Sequence, residues 1–478
     1  MTSTSAGRVA HHAGLPLKTK VLYGLGEASN AIKAFTFGLF LLFFYTTVLG
    51  LPGTWVGIAT SIGLIWDAVI DPFIGHLSDR IHPRLGRRHA LMLVGAIGMG
   101  VAFFAIFRPP RGLSSTALFA WLVATSLLLR TTNSIFMVPY HALGAELSRD
   151  YHERTAVTSA RAAFALVGTL VAAGLSFSVF FPDRTPSVDP KLDPSGYATM
   201  GLAFGLAMTA LGLVATLGTL SHRASEEPEP RARQEERLGF VRGLLICLHN
   251  PAFLLLTLSA SLFFLASVIN ATVAIHYLVY YAGITKSNAL SLFQLSFYVG
   301  ALAGVALWLR VARRWEKQHL YFVATLAVAA LMVAAYRLVG EGRLFGTGNL
   351  SALLIGHGTA GLFASALWVL PPSMIADVTD WDALITGQRR EGVFFGIYSF
   401  SQQVAASLAI LITGVLVDRF AGLVPGQATQ SPLTIERLAM LFSLLPAMIV
   451  LVAALLILGY RLTRGRLQQI QAELGGWV

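Results

Sequence analysis

The stretch GLIWDAVIDPFIGHLSDR, residues 63–80, decides how this chain is to be read. It opens as an apolar run of the kind a membrane helix needs, yet it carries Asp67 and Asp71, four residues apart. At that spacing two carboxylates share one helix face, a turn apart. Counting back from Arg80 at about 1.5 Å per residue puts Asp67 roughly 20 Å and Asp71 roughly 14 Å from the loop, near the middle of a hydrocarbon core about 30 Å thick. Each charge buried there costs about 2.5–3.5 kcal/mol on insertion scales. Like charges a turn apart also repel, so one acid must hold a proton or the two must share a cation. The pair reads as a cation-binding device. The structural alternative is a pair of acids facing an arginine.

The surrounding composition places this stretch in a bilayer. The chain has 478 residues, 55% hydrophobic and only 12% charged, about half the charge of a soluble domain. Apolar runs of about 18–25 residues recur, the length a spanning helix needs. LFFYTTVLGL and ALMLVGAIGMGVAFFAIF do not alternate as membrane strands would. The formal net charge of +11 is carried by short loops between apolar runs, a positive-inside pattern rather than a nucleic-acid surface. One cysteine, Cys247, excludes an internal disulfide; it reads as a small buried apolar residue.

The spacing predicts about twelve spans, near 20–49, 54–79, 89–108, 113–147, 153–181, 197–220, 251–282, 287–310, 318–338, 350–377, 390–418 and 434–462. The expected organisation is a cytoplasmic tail (1–19), a six-helix half (20–220), a charged cytoplasmic linker (221–250), a second six-helix half (251–463) and a cytoplasmic tail (464–478). The opening MTSTSAGRVAHHAGLPLKTK is polar and lacks the apolar core of a signal peptide. FFYTTVLGLPGTWVGI and YLVYYAGITKSNALSL echo each other at the ends of spans one and seven. Two six-span halves joined by a charged loop is the layout of major facilitator transporters, whose site lies at the midplane between the halves.

Further polar residues punctuate the spans. Arg130 in span four is a natural partner for the acids of span two, with Ser134 a turn further on; Pro139 before Tyr140 should bend that helix. Arg161 in span five either holds a polar group of a substrate or pairs with Glu146. Glu27 and Lys33 in span one are six apart and do not face each other; either serves a proton relay or half of a structural pair. Trp368, ahead of Pro371 and Pro372, lies deep enough to stack on a sugar ring or an acyl chain. GHLSDRIHPRLGRRH brings Asp79, Arg80, Arg87 and Arg88 into one loop, read as a gate in which Asp79 pairs with and releases neighbouring arginines, or as a plain basic loop. Asp377, Asp380, Arg389 and Arg390 cluster at the end of span ten as a second salt-bridge gate. No metal or nucleophile set stands out, so neither an enzyme nor a cofactor is expected.

YGLGEASN, FLLFFYTTVLGL, WDAVIDPFIGHLSDR, VPYHALGAELSRDYHERT and LWVLPPSMIADVTDWDALITGQRREG, in this order over both halves, resemble the glycoside–pentoside–hexuronide:cation symporters, the melibiose permease branch of the major facilitator superfamily. The resemblance implies that Asp67 and Asp71 bind the coupling cation, a proton or Na⁺, with help from the Ser134 hydroxyl. It also implies that Trp368 and Arg161 lie at the sugar. Ile70 stands where sodium users often have Asn, which shifts preference toward the proton. Ala31 and Met137 stand where galactoside-holding acids are found, Asn30 replaces a Lys, and Gln403 replaces another. The same branch includes animal lysophospholipid symporters with more apolar cavities.

The expectation is therefore an all-α membrane protein, twelve transmembrane helices in two six-helix halves with the major facilitator fold. It would transport a sugar or glycoside, alternatively a lysolipid or other amphiphile, through a cavity near Asn30, Tyr140, His141, Arg161, Trp368, Tyr398 and Gln403. It would work as a monomer in a bacterial inner membrane with both termini in the cytoplasm. A non-transporting sensor or membrane enzyme is the remote alternative.

Overall fold

A computed structural model describes residues 15–81, 85–148, 151–183, 189–222, 247, 249–388 and 390–475. The described residues form no strand. Among the described residues twelve helices are long and apolar enough to cross a membrane: α1 (Leu17–Val48), α2 (Gly53–Ser78), α3 (Arg88–Phe107), α4 (Ser115–Gly144), α5 (Thr155–Phe180), α6 (Pro194–Gly218), α7 (Pro251–Tyr281), α8 (Ser287–Val311), α9 (Lys317–Leu338), α10 (Leu350–Thr386), α11 (Glu391–Ala421) and α12 (Pro432–Ile457). A short helix, α13 (Arg464–Gly475), follows. The chain is an all-α integral membrane protein. Most of the linker expected at 221–250 lies outside the described residues.

In lipid every backbone polar group must be satisfied inside the structure, which leaves helices with well-capped ends. Side chains at the membrane edge supply the caps: Asp193 accepts from Ser195 N at 2.8 Å, Asn250 from Phe253 N at 3.0 Å, Asn349 from Ala352 N at 3.1 Å and Ser431 from Thr434 N at 3.2 Å. Proline in the first turn of α6, α7 and α12 removes a donor that would need one. The second helix of each half, α2 and α8, has no side-chain cap of its own.

α10 runs to Thr386, past the sequence boundary at 377. Pro371 and Pro372 do not end it; they sit inside its second segment (Ala366–Thr386), where they remove two N–H donors, and a single-residue interruption at Ser365 lies nearly two turns ahead of them. Gly387, at φ 69°, terminates it in the left-handed region that glycine enters without cost.

Within the first half α1 packs on α5 and α6, α3 on α4 and α6, and α2 on α4; within the second, α8 packs on α10, α9 on α12, and α7 on α11 and α12. Among the described residues the halves are joined chiefly by α2 with α11, α5 with α8, and α1 with α7. Exchanging the halves converts the first pairing into the second. The sequence echo has a structural counterpart. α1 and α7 both finish in a wider π turn, with Leu49 N bonded to Phe44 O at 3.0 Å and Ala282 N to Tyr277 O at 2.9 Å. Each turn is followed by a glycine at positive φ, Gly50 at 77° and Gly283 at 70°.

Candidate functional site

The halves are tied at the face opposite the start of α1 and the end of α12. The uncapped α2 start is capped by the other half: the Asp418 carboxylate of α11 accepts from Gly53 N at 2.8 Å, Thr54 N at 2.7 Å and Thr54 Oγ1 at 2.6 Å. The α8 start is capped reciprocally, Asp183 after α5 accepting from Ser287 N at 3.1 Å and Ser287 Oγ at 3.3 Å. Lys191 Nζ donates to Thr285 O at 2.6 Å, and Thr47 Oγ1 meets His276 Nε2 at 3.2 Å between α1 and α7. Gly53 and Gly414 let α2 and α11 approach so closely that a Cβ on Gly53 would lie 2.9 Å from Gly414 O.

At the other face the ion pairs among the described residues stay within one half. Lys20 bonds Glu153 at 2.8 Å and Arg88 bonds Glu146 at 2.9 Å in the first; Lys317 bonds Asp377 at 2.6 Å and Arg390 bonds Asp382 at 2.9 Å in the second. Among the described residues the halves are joined at the far face, and no ion pair joins them at the face where α1 begins and α12 ends.

Between the halves lies a cavity of about 950 Å³. α1 contributes Glu27, Asn30 and Phe35, and the second half contributes Phe263, Phe297 and Trp368. Trp368 is 45% exposed and stands edge-on to Phe297 at 6.0 Å. The polar end is compact. Glu27 Oε2 receives Arg161 Nη2 at 2.9 Å, and Glu27 Oε1 receives Asn30 Nδ2 at 3.2 Å. Arg161 Nη2 also lies 2.8 Å from His141 Nε2. Arginine only donates, so in this contact His141 Nε2 is the acceptor. Away from this cluster the lining is mostly apolar, including Leu331, Met332, Leu338 and Phe345.

The acids of α2 lie beside this end. Arg130 Nη1 bonds Asp67 Oδ2 across α2 and α4. Lys33 Nζ donates to Asn133 Oδ1 at 2.7 Å, and Trp66 Nε1 to Thr131 Oγ1 at 2.7 Å. Asp71 makes no ion pair among the described residues.

Several sequence expectations change. Arg161 pairs with Glu27 and not Glu146, because Glu146 is taken by Arg88, which also bonds Ser78 Oγ at 2.8 Å. Asp377 and Asp380 do not engage Arg390: Asp377 takes Lys317, Asp380 takes Gln471 of α13 at 3.0 Å, and Arg390 takes Asp382. Tyr140 does not reach the cavity. It is fully buried and stacked on Tyr23 at 4.4 Å, each hydroxyl donating to the other's carbonyl at 2.9 Å. Ser134 is buried in α4, Tyr398 packs against the core of the second half, and Gln403 is exposed. Arg80 is exposed at the end of its helix. The side chains of Asp79 and Arg87, and all of Arg389, lie outside the described residues. Sequence reasoning missed Asp382 and Lys317, and it missed Asp418 and Asp183. The signal for Asp418 was a lone acid closing an apolar run opposite a helix that begins Pro-Gly-Thr.

A family model described as MFS/sugar transport protein matches residues 22–464. The chain belongs to that family. An uncharacterised symporter of Synechocystis is 27% identical, with 96% of this chain and 97% of that protein covered. The sodium-dependent lysophosphatidylcholine symporter 1 of Xenopus tropicalis is 24% identical, with 96% and 90% covered. A bacterial homologue of the human lysosomal transporter Spinster, solved in an inward-facing, unoccupied conformation, superposes with a TM-score of 0.66 at 13% identity over 93% of this chain and 96% of that one. The fold is that of the major facilitator superfamily, as the sequence resemblance implied. The chain is a symporter of that superfamily and not an enzyme.

Proposed function

We propose that this symporter carries a sugar or glycoside together with a cation, a proton or Na⁺, by alternating access across a bacterial cytoplasmic membrane. The observation that carries the reading is the juxtaposition of two sites. Glu27 and Asn30 line the cavity together with Trp368, Arg161 is paired to Glu27 and touches His141, and Lys33 lies within electrostatic range of both Glu27 and the α2 acids Asp67 and Asp71. Hydroxyl-rich solutes suit hydrogen-bonding groups on one wall and an aromatic face on the other. The acids accept the coupling cation, and Ser134 is its candidate hydroxyl ligand. The arginine-rich face that carries the termini is cytoplasmic by the positive-inside rule, so the cavity opens inward here. A monomer suffices, since one chain supplies both walls.

The mostly apolar lining favours a second reading, an amphiphile such as a lysolipid, with its headgroup at Glu27 and Arg161 and its chain along Met332 and Leu338.

A thermal-shift screen of purified protein against sugars, glycosides and lysolipids separates the two, since a ligand of the native state raises apparent stability by mass action. Repeating it at several pH values, with and without Na⁺, reads the ion. A glycoside response that depends on either ion supports the first reading. A lysolipid response with no sugar response replaces it by the second, and silence from every solute sinks both. Asp67→Asn and Asp71→Asn should each abolish ion-driven accumulation in proteoliposomes; full accumulation by both variants removes the acids from the mechanism.

A further inference from the structure

The acid pair of α2 already has cations of its own. Arg130 reaches Asp67 by lying across Gly63, one helical turn away on the same face of α2. A Cβ on Gly63 would fall onto Arg130 Cδ, Nε and Cζ, so this glycine is what leaves a slot for the side chain. The neighbouring bond from Trp66 Nε1 to Thr131 Oγ1, 2.7 Å, holds α2 and α4 in the register that puts the guanidinium over the slot. Lys33 of α1 is anchored to Asn133, one turn from Arg130 along α4, at 2.7 Å. It lies within electrostatic range of Asp67, Asp71 and Arg130.

The charges of this cluster close without any added ion. Asp67 and Asp71 supply two negative charges, and Arg130 and Lys33 two positive ones. The cluster at the polar end of the cavity closes in the same way, Glu27 against Arg161. A Na⁺ added here would leave uncompensated positive charge inside the membrane, which is costly. It would also have to displace an arginine that never deprotonates and binds carboxylates as a planar fork.

We propose that Arg130 is a tethered counter-ion that fills the cation position at Asp67, so that Na⁺ neither binds to this chain nor drives it. The assignment rests on the transporter reading above and narrows its coupling ion: of the two cations considered, Na⁺ is removed. Gly63 is part of the same device, since a Cβ there would overlap Arg130 and force its side chain to shift.

The test uses Na⁺ alone as the probe. Purified full-length protein is titrated with sodium chloride against choline chloride at constant ionic strength, with no solute, and thermal unfolding is followed. The wild-type midpoint should stay constant to within about 0.5 °C, while Arg130→Gln should gain a saturable, Na⁺-specific rise of about 2 °C or more. Gly63→Ala keeps the arginine but obstructs its path, and should give a smaller rise of the same kind. A saturable Na⁺ rise in the wild type overturns the assignment, and so does a folded Arg130→Gln that is blind to Na⁺. Should Arg130→Gln not fold, radioactive Na⁺ binding to the wild type decides. Absence of displaceable binding supports the tethered cation, and stoichiometric binding overturns it. Because no solute is involved, a Na⁺ response in the wild type leaves the symporter reading standing, whereas a silent solute screen removes that reading without touching this one.

Discussion

The Asp418 carboxylate of α11 receives the Thr54 hydroxyl at 2.6 Å, across the line where the two halves meet. The same carboxylate caps two backbone N–H groups of α2. Charge-assisted bonds of this kind contribute about 1.5–3 kcal/mol each when both partners are shielded from water. Asp418→Ala should therefore shift the population toward opening of this face by about tenfold or more. Spin labels at the exposed positions Arg111 and Leu344, in a Cys247→Ser background, would report it as a longer distance component. An unchanged distance distribution would show that the carboxylate only decorates the closure.

Gly414 tests the same face by bulk rather than by charge. Its Cβ would run into the Gly53 carbonyl oxygen and crowd Gly57 N. Gly414→Val should keep α2 and α11 apart, abolish transport and leave membrane insertion intact. The spin-label pair used for Asp418→Ala should lose its short-distance component altogether. Retention of transport would mean that the helices need not come this close during the cycle.

Glu27 and Arg161 form a pair that is neither fully buried nor fully exposed, with side-chain exposures of 14% and 27%. Its loss should cost about 2 kcal/mol, between the values for surface and buried pairs. Glu27→Ala leaves Arg161 without its carboxylate. The double variant Glu27→Ala/Arg161→Ala should recover part of the loss. A double-mutant cycle by denaturant unfolding measures this coupling. Strict additivity would refute an interaction between the two.

Cys247 is buried against the core of the second half, and burial pushes its thiol up from the ordinary 9.0 to about 12, with the Asp382 carboxylate adding to the shift and Arg390 opposing it. The folded state then holds its proton where the unfolded chain releases it. Stability from this group is complete below the unfolded value and is lost as pH rises between 9.0 and about 12. The slope should not exceed about 1.4 kcal/mol per pH unit. Cys247→Ala should flatten that alkaline decline, and a maleimide at neutral pH should label the wild type only after unfolding. Rapid labelling of folded protein would contradict the burial.

The spans were legible in the sequence because hydropathy over about twenty residues is a long, averaged signal. Arg130 as the partner of Asp67 was legible for a related reason: a charge at that depth must find its opposite, and span four offered one. Partner choice among the remaining charges was not. Arg161 faced two acids at compatible depths, Glu146 and Glu27, and only the packing of α5 on α1 settles which is reached. Arg390 likewise reaches back across the α10–α11 turn to Asp382 rather than to Asp377, which Lys317 of α9 has claimed. Tyr140 shows a different limit. Its position in a polar motif said nothing about side-chain direction, and reciprocal bonding with Tyr23 turns it into the core.

The exchanged caps on α2 and α8 lie at the edge of the bilayer, and that location decides how the closure can be undone. A helix start deprived of its carboxylate inside hydrocarbon would strand its N–H groups at a cost of several kcal/mol each. At the rim, water takes over the vacated positions as Asp418 and Asp183 withdraw. The fastening works as a latch whose exchange partner is always at hand: release costs the net worth of these charge-assisted bonds over bonds to water, and not the far larger cost of leaving the groups unpaired. Each half also carries one catch of the latch and one strike plate for the other. Letting go at α2 therefore calls for the same separation of halves that frees α8, and the two ends of the seam open as one event.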